Sequence, residues 1–233
     1  MAPEVVVDTP TALGRIFAER FAAEAKAAVA ARGHFSCALP GGSVAEAFLP
    51  ALVDAAVEWA KVDLFWSDER AVAAEDADSN FGLAKRLLLD RVAARAHRMR
   101  GEEDDLAAAA RAYEAEMTRL LGEPPRLDLA VLGVGPDGHV CSLFPGHSLL
   151  RERERRVAAV VDSPKPPPRR LTFTLRPLAE ARLLCLAAFG DAKAAVLRVA
   201  LNDEASDLPV ALALRGAERA WVLLDPAAAA GVS

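Results

Sequence analysis

The chain has 233 residues, 53% of them hydrophobic and 26% charged, and a formal net charge of −5. That length buries the core of one large domain or at most two. The acidic balance excludes a global basic field for nucleic acid or an anionic membrane. No stretch approaches the ~18 apolar residues of a membrane span, and MAPEVVVDTP lacks the basic and apolar regions of a secretion signal, so a cytoplasmic protein is expected. Cys37, Cys141 and Cys185 are odd in number and sit in or beside apolar runs, as reduced core thiols do.

Val5 to Asp8 reads as a short strand, and Thr9-Pro10 as the cap and first position of a helix that runs to Arg32. Leu13, Ile16, Phe17 and Phe21 mark its buried stripe, and Gly33 ends it. Phe35 to Leu39 is a second strand, followed by Pro40-Gly41-Gly42-Ser43 and a helix over Val44 to Val57 that Pro50 should kink. Strand, Gly-Gly-Ser, helix suits an anion: glycines admit it to the backbone, the helix end offers free N–H groups, and Ser43 adds a donor. A tight turn with Ser43 as an ordinary cap is the plainer reading.

Val62 to Trp66 is the third strand, and Ser67-Asp68-Glu69-Arg70 follows directly. Charges at the end of a buried strand form an ion-pair cluster or line a site, because unpaired burial is costly. Asp78 or Ser79 can cap a helix over Asn80 to Leu89. Val92 to Arg100 suggests a loop with a short strand, and Glu102 to Leu121 a helix with acidic residues in its first turn.

Leu129 to Leu132 is a buried strand that breaks into Gly133-Val134-Gly135-Pro136-Asp137-Gly138-His139. The glycines match G-x-G-x-x-G, but mid-chain and with Pro145-Gly146 ahead they do not open a dinucleotide-binding helix. His34, His97, His139 and His147 show no metal-ligand spacing, so neither metal nor cofactor is expected. His139, with Asp137 two residues before it at the carboxyl end of a strand, is placed for general acid–base work.

Arg151 to Arg156 reads as a solvated charged surface and Val157 to Val161 as a strand. Ser163 to Pro168, SPKPPP, reads as an extended or mobile loop. Arg169-Arg170 precede a strand over Leu171 to Leu175 with one polar face. Leu183 to Phe189 is a buried strand, and the helix from Ala192 to Leu201 carries Lys193 in its first turn, where a cation opposes the helix dipole unless an anion is near. Pro209 to Leu214 is undecided, Ala220 to Leu224 is a strand, and the chain from Asp225 reads as a frayed tail. Alternating strands and helices predict an α/β fold, three layers α/β/α around a mostly parallel, Rossmann-like sheet, with room for a small antiparallel appendage.

Together LPGGSVAEAF, DLFWSDERAV, DADSNFGLAK, DLAVLGVGPDGHVCSLFPG, RRLTFTL and FGDAKAAVL resemble the 6-phosphogluconolactonase family, in the family's order and over nearly the whole chain. The resemblance implies one domain over residues 1–233 and cofactor-free hydrolysis of 6-phospho-D-glucono-1,5-lactone in the oxidative pentose phosphate pathway. The partner it implies is this small phosphosugar lactone, and a monomer or small homo-oligomer is expected. It further implies His139 as the base that activates water, Asp137 as its orienting group, and Arg70 as a substrate-binding or oxyanion-stabilising cation with Asp68 and Asn80 nearby. Gly41, Gly42, Ser43, Arg170 and Lys193 are the candidates for the phosphate. Pro40 stands where the family usually has Ser, and Val44-Ala45 where it has Thr-Pro, which removes hydroxyl donors but keeps the glycine backbone. The related glucosamine-6-phosphate deaminases carry a Glu after the histidine motif where this chain has Phe144, which moves no protons.

Overall fold

The computed structural model describes residues 2–232. In chain order its elements are β1 (Glu4–Val7), α1 (Pro10–Arg32), β2 (Phe35–Leu39), α2 (Gly42–Leu52), β3 (Val62–Trp66), β4 (Asp68–Arg70), α3 (Asn80–Ala84) and β5 (Arg95–Ala96). Then come α4 (Leu106–Leu121), β6 (Leu129–Gly133), β7 (Val157–Val160), β8 (Arg170–Phe173), α5 (Leu175–Glu180), β9 (Leu184–Ala188), α6 (Ala194–Asn202), α7 (Pro209–Gly216) and β10 (Ala220–Leu224).

Seven strands form one parallel sheet, ordered β1-β10-β9-β6-β2-β3-β5, with helices flanking it. β2, β3 and β9 are buried along their whole length, which is why their sequences are apolar runs rather than alternating ones. From β2 the chain builds outward through β3 to β5, then returns to β6 and builds the other way. The strand order reverses between β2 and β6, and a crevice opens beyond their carboxyl ends. α1 is held at its start by Thr9, whose hydroxyl accepts from Ala12 N, and at its end by Gly33 at φ 81°. Its Phe17 stacks on Phe48 of α2 at 4.5 Å, and Phe21 meets Phe35 of β2 edge-on at 5.0 Å. Each such buried ring contributes roughly 1.5–3 kcal/mol of transfer free energy.

β4, β8 and β7 form a separate antiparallel sheet, the appendage the sequence leaves room for. Strand alternation sorts its side chains. Glu69 pairs with Leu171, and Leu171 with Ala159, on the face that packs into the main core. Asp68 pairs with Thr172, and Arg70 with Arg170, on the opposite face. The polar face expected of this strand exists but is buried: Thr172 is fully covered, and its hydroxyl accepts from Ser142 N at 3.0 Å.

Several boundaries differ from the sequence reading. α2 ends at Leu52, so Pro50 lies in its last turn and does not kink a longer helix. α4 begins at Leu106, capped by Asp105 through Ala108 N, and the acidic run precedes the helix. The helix from Asn80 passes into a π-helical turn over Lys85–Leu89. Within RERERR, Arg156 is 4% exposed and pairs with Glu180 at 3.0 Å, so the run is not all solvated. The chain after Asp225 is not frayed: the Asp225 carboxylate accepts from Gly190 N and Ala228 N, and Ala228 is fully buried. The 163–168 loop is closed by a bond from Ser163 N to Pro168 O at 3.0 Å. No helix among the described residues is long and apolar enough to cross a membrane.

Candidate active site

The loops that follow β2, β3, β6 and β9 meet in one cleft of about 770 Å³, open mouth included. Gly41, Gly42, Ser43, Asp68, Arg70, Asn80, His139, Arg170 and Lys193 all line it. Asp137 stands behind His139 rather than on the cleft wall, with its Oδ1 2.6 Å from His139 Nδ1.

The His139 turn is built by backbone hydrogen bonds, not by a helix. Gly135 N donates to His139 O at 2.8 Å and Gly138 N to Gly135 O at 2.9 Å. Val210 N, in the first turn of α7, donates to Gly138 O at 3.0 Å and ties the turn to the fold. A Cβ on Gly135 would lie 1.9 Å from His139 Nδ1 and 2.4 Å from Asp137 Oδ1, so only glycine lets the pair close over it. Cys141, two residues on, holds φ 53°, a left-handed conformation that is uncommon outside glycine.

Burial lowers the His139 pKa below its usual 6.5; the hydrogen bond and charge of Asp137 oppose this, and the charge of Lys165 adds to it. The ring therefore rests neutral at pH 7. For Asp137, burial pushes upward, but the His139 hydrogen bond and neighbouring cations prevail and hold the carboxyl at about 2. With Nδ1 donating to a permanent carboxylate, Nε2 is the acceptor nitrogen, and it has no protein partner among the described residues. Phe144 packs on the ring at 4.8 Å.

A chain of polar contacts links Asn80, Asp68, Ser142 and Arg170. Asn80 Nδ2 donates to Asp68 O at 2.9 Å and to Asp68 Oδ1 at 3.1 Å. Ser142 Oγ donates to Asp68 Oδ2 at 2.8 Å and accepts from Arg170 Nη1 at 3.3 Å. Glu69 turns the other way, as strand alternation requires, and serves α3: its carboxylate accepts from Asn80 N and Phe81 N, both at 2.8 Å, and from Ser79 Oγ at 3.1 Å. Of the two alternatives for these charges, Asp68 and Arg70 line the cleft, while Glu69 is a buried cap and forms no ion pair among the described residues.

The two arginines differ. Arg70 donates from Nη1 to Asp78 O at 2.7 Å, and its buried Nε–H has no partner among the described residues. Arg170, 4% exposed, also donates to the carbonyls of Lys165, Pro166 and Pro167. Across the cleft α2 starts at Gly42, which holds φ 61°, with Gly41 as its cap and no side-chain acceptor on its first N–H groups. Ser43 lies inside that first turn and is not the cap. Lys193 stands at the start of α6; burial, then the nearby Lys165 charge, lowers its pKa.

Two site residues are not singled out by any motif. Ser142 looks like an ordinary small residue in the glycine-rich stretch. Lys165 lies in the loop that reads as mobile, yet its Nζ is 3.1 Å from Asp137 Oδ1 and 3.2 Å from His139 Nδ1. The unusual Pro-Lys-Pro context was the available signal.

A family model described as Glucosamine-6-phosphate isomerases/6-phosphogluconolactonase matches residues 8–222. The chain is 40% identical over 235 residues to the 6-phosphogluconolactonase of Rattus norvegicus, covering 96% of this chain and 91% of that one. It is 42% identical over 202 residues to the Oryza sativa subsp. indica protein named "Probable 6-phosphogluconolactonase 3, chloroplastic", where the match spans 78% of this chain and only 62% of the plant protein's length. The solved structure of 6-phosphogluconolactonase from Trypanosoma brucei superposes with a TM-score of 0.89 at 28% identity, covering 99% of both chains.

Proposed function

The chain belongs to the glucosamine-6-phosphate isomerase/6-phosphogluconolactonase family, and from that membership we propose that its cleft hydrolyses 6-phospho-D-glucono-1,5-lactone to 6-phospho-D-gluconate. The observation that carries this reading is a neutral histidine, oriented by an ionised aspartate, facing the same cleft as an uncapped helix start and Lys193.

Water held at His139 Nε2 loses a proton to that nitrogen as its oxygen bonds to the lactone carbonyl carbon. Asp137, accepting from Nδ1–H, fixes the tautomer and stabilises the imidazolium that forms. Negative charge grows on the former carbonyl oxygen, and Arg70, whose donors are largely uncommitted, stands nearby to stabilise it. The ring C–O bond then breaks, and His139 returns its proton to the leaving ring oxygen. The phosphate lies at the start of α2, on the N–H groups of Gly42 and Ser43, and pairs with Lys193; Gly41 lets Asn80 close on this turn, since a Cβ there would lie 1.9 Å from Asn80 Oδ1. That anion relieves the crowding of Lys193 with Lys165. Asp68 and Asn80 set the floor on which sugar hydroxyls rest.

The test is hydrolysis of freshly prepared lactone measured against its spontaneous background. The wild type should accelerate it, and His139→Ala should lose on the order of 10²- to 10⁴-fold in kcat. Because His139 acts only when neutral and its pKa is depressed, the acid limb of kcat/KM should fall below pH 6.5. Turnover that survives in His139→Ala retains the function and removes the mechanism; a wild type no faster than background removes both.

A further inference from the structure

Two cations beside this reaction take no part in it: Arg170, which lines the cleft, and Lys165, which stands behind His139. Lys165 does not point at the helix start where the phosphate is assigned. It reaches behind the base, sharing Asp137 Oδ1 with His139 and lying 3.2 Å from the histidine's own Nδ1. Within the loop, Ser163 Oγ donates to Lys165 O at 2.8 Å and accepts from Lys165 N at 3.2 Å. From outside it, Arg170 does more: three of its N–H groups go to three successive loop carbonyls, those of Lys165, Pro166 and Pro167, and a fourth goes to Ser142. Its ring-face contact with Phe144, 5.7 Å to the centroid, seats it against the residue that also packs on His139. A guanidinium has only five N–H donors, so Arg170 is committed to the loop and has little left for an anion.

We propose that Lys165 is a positioning residue of this reaction, stapled in place by Arg170, and that it converts the Asp137–His139 dyad into a triad with no net charge at rest. This rests on the hydrolytic reading above and assigns parts within it. With the lysine in place, carboxylate and ammonium cancel, and the ring is neutral. When His139 takes the proton from water, the triad gains one positive charge, in a half-buried place where that charge is poorly solvated. The imidazolium is then a stronger acid than an isolated dyad would give, and it passes its proton readily to the leaving ring oxygen. The lysine trades some basicity in the first step for acidity in the second. The charged groups that face His139 are Asp137 and Asp68, which favour its protonation, and Lys165, which opposes it. Lys193 faces Lys165 and Asp137 from the far side.

The experiment compares wild type, Lys165→Met and Lys165→Arg. Lys165 is partly exposed, so these variants should fold. The His139 ring is titrated by NMR in each protein, and pH profiles of kcat and KM are recorded with the lactone. Lys165→Met should raise the His139 pKa and move the acid limb upward by about one unit, while Lys165→Arg leaves both near the wild-type values. At pH 6 kcat/KM in the methionine variant should fall about 3- to 10-fold, and KM on the pH plateau should stay within about twofold. Arg170→Gln should move the limb in the same direction, and the double variant should add little further. An unmoved ring pKa in Lys165→Met overturns the proposal. So does a raised KM with an unmoved limb in Lys165→Met or Arg170→Gln, which would make that cation a substrate ligand. The NMR titration decides the matter even if the wild type turns over no lactone, so failure of the hydrolytic reading is seen separately.

Discussion

At the scale of single residues, His139 depends on two neighbours, Gly135 for the space it leaves and Asp137 for its hydrogen bond and charge. Gly135→Ala would place a methyl 1.9 Å from His139 Nδ1, in an otherwise hydrogen-bonded turn. The expected outcome is a fall in kcat of on the order of 10²-fold, with far-UV circular dichroism and the urea midpoint little changed. Asp137→Asn removes the group that favours both the tautomer and the imidazolium. Its kcat should fall by a similar factor, and its acid limb should move to lower pH, opposite to Lys165→Met, because the charge removed is opposite. His139, Asp137, Arg70 and Lys193 were legible in the sequence because each follows a buried strand, and such ends converge in an α/β sheet. Lys165 and Ser142 were not. The lysine meets its partners across 26 and 28 residues of chain, and only the folded loop brings it there.

At the scale of elements, α3 shows how a cleft wall is held. Its first turn is capped twice, by Ser79 through Gly82 N and by Glu69 through Asn80 N and Phe81 N. Burial pushes the Glu69 pKa up, and the backbone N–H groups of Phe81, Asn80 and Arg70 oppose it. Glu69→Gln replaces one accepting oxygen with a donor, so buried N–H or O–H groups lose their acceptor. Stability should fall by about 1–3 kcal/mol, read as a lower urea midpoint, and KM should rise because Asn80 and Asp68 shift. The helix and strand types were legible from periodicity, but their ends were not. The Val44 helix stops at Leu52, and the Glu102 helix starts at Leu106, because the caps that decide ends depend on which carbonyls remain free after packing. Arg156 was hidden in a run of like residues; α4 and α5 supply the glutamates that bury it.

At the scale of the molecule, pH acts on a second histidine far from the base. His97 lies between Asp63, at 2.8 Å, and Glu116, at 3.0 Å, stacked on Phe65, and Arg95 grips Asp63 with two further bonds. The hydrogen bond to Asp63 raises the His97 pKa above 6.5 despite burial, while Asp63, though burial pushes it up, is carried well below 3.8 by Arg95 and His97. A raised histidine contributes stability that is complete below pH 6.5 and lost as pH rises through its folded value. A depressed aspartate contributes above pH 3.8 and loses that as pH falls. The gap in urea midpoint between wild type and His97→Gln should thus be widest between about pH 4 and 6.5 and should close toward pH 9; a gap independent of pH would contradict this. The parallel sheet and its helices were legible because apolar runs of strand length alternate with helical stripes. The sheet order and the pairing of Asp68–Arg70 with Arg170–Phe173 were not, because residues about 100 apart in sequence carry no local mark of meeting.

The small antiparallel sheet separates two demands on the same strands. Asp68, Arg70 and Arg170 line the cleft, with Thr172 buried on the same side, whereas Glu69, Leu171 and Phe173 face the other way, two of them into the core. Neighbouring positions along one strand thus serve different ends. Changes on the cleft side can redraw the shape of the cleft, while the odd-numbered neighbours continue to hold the scaffold. Cleft and scaffold are thus written on opposite sides of two short strands, β4 and β8, and Glu69, which caps the helix that carries Asn80, is the position where they meet.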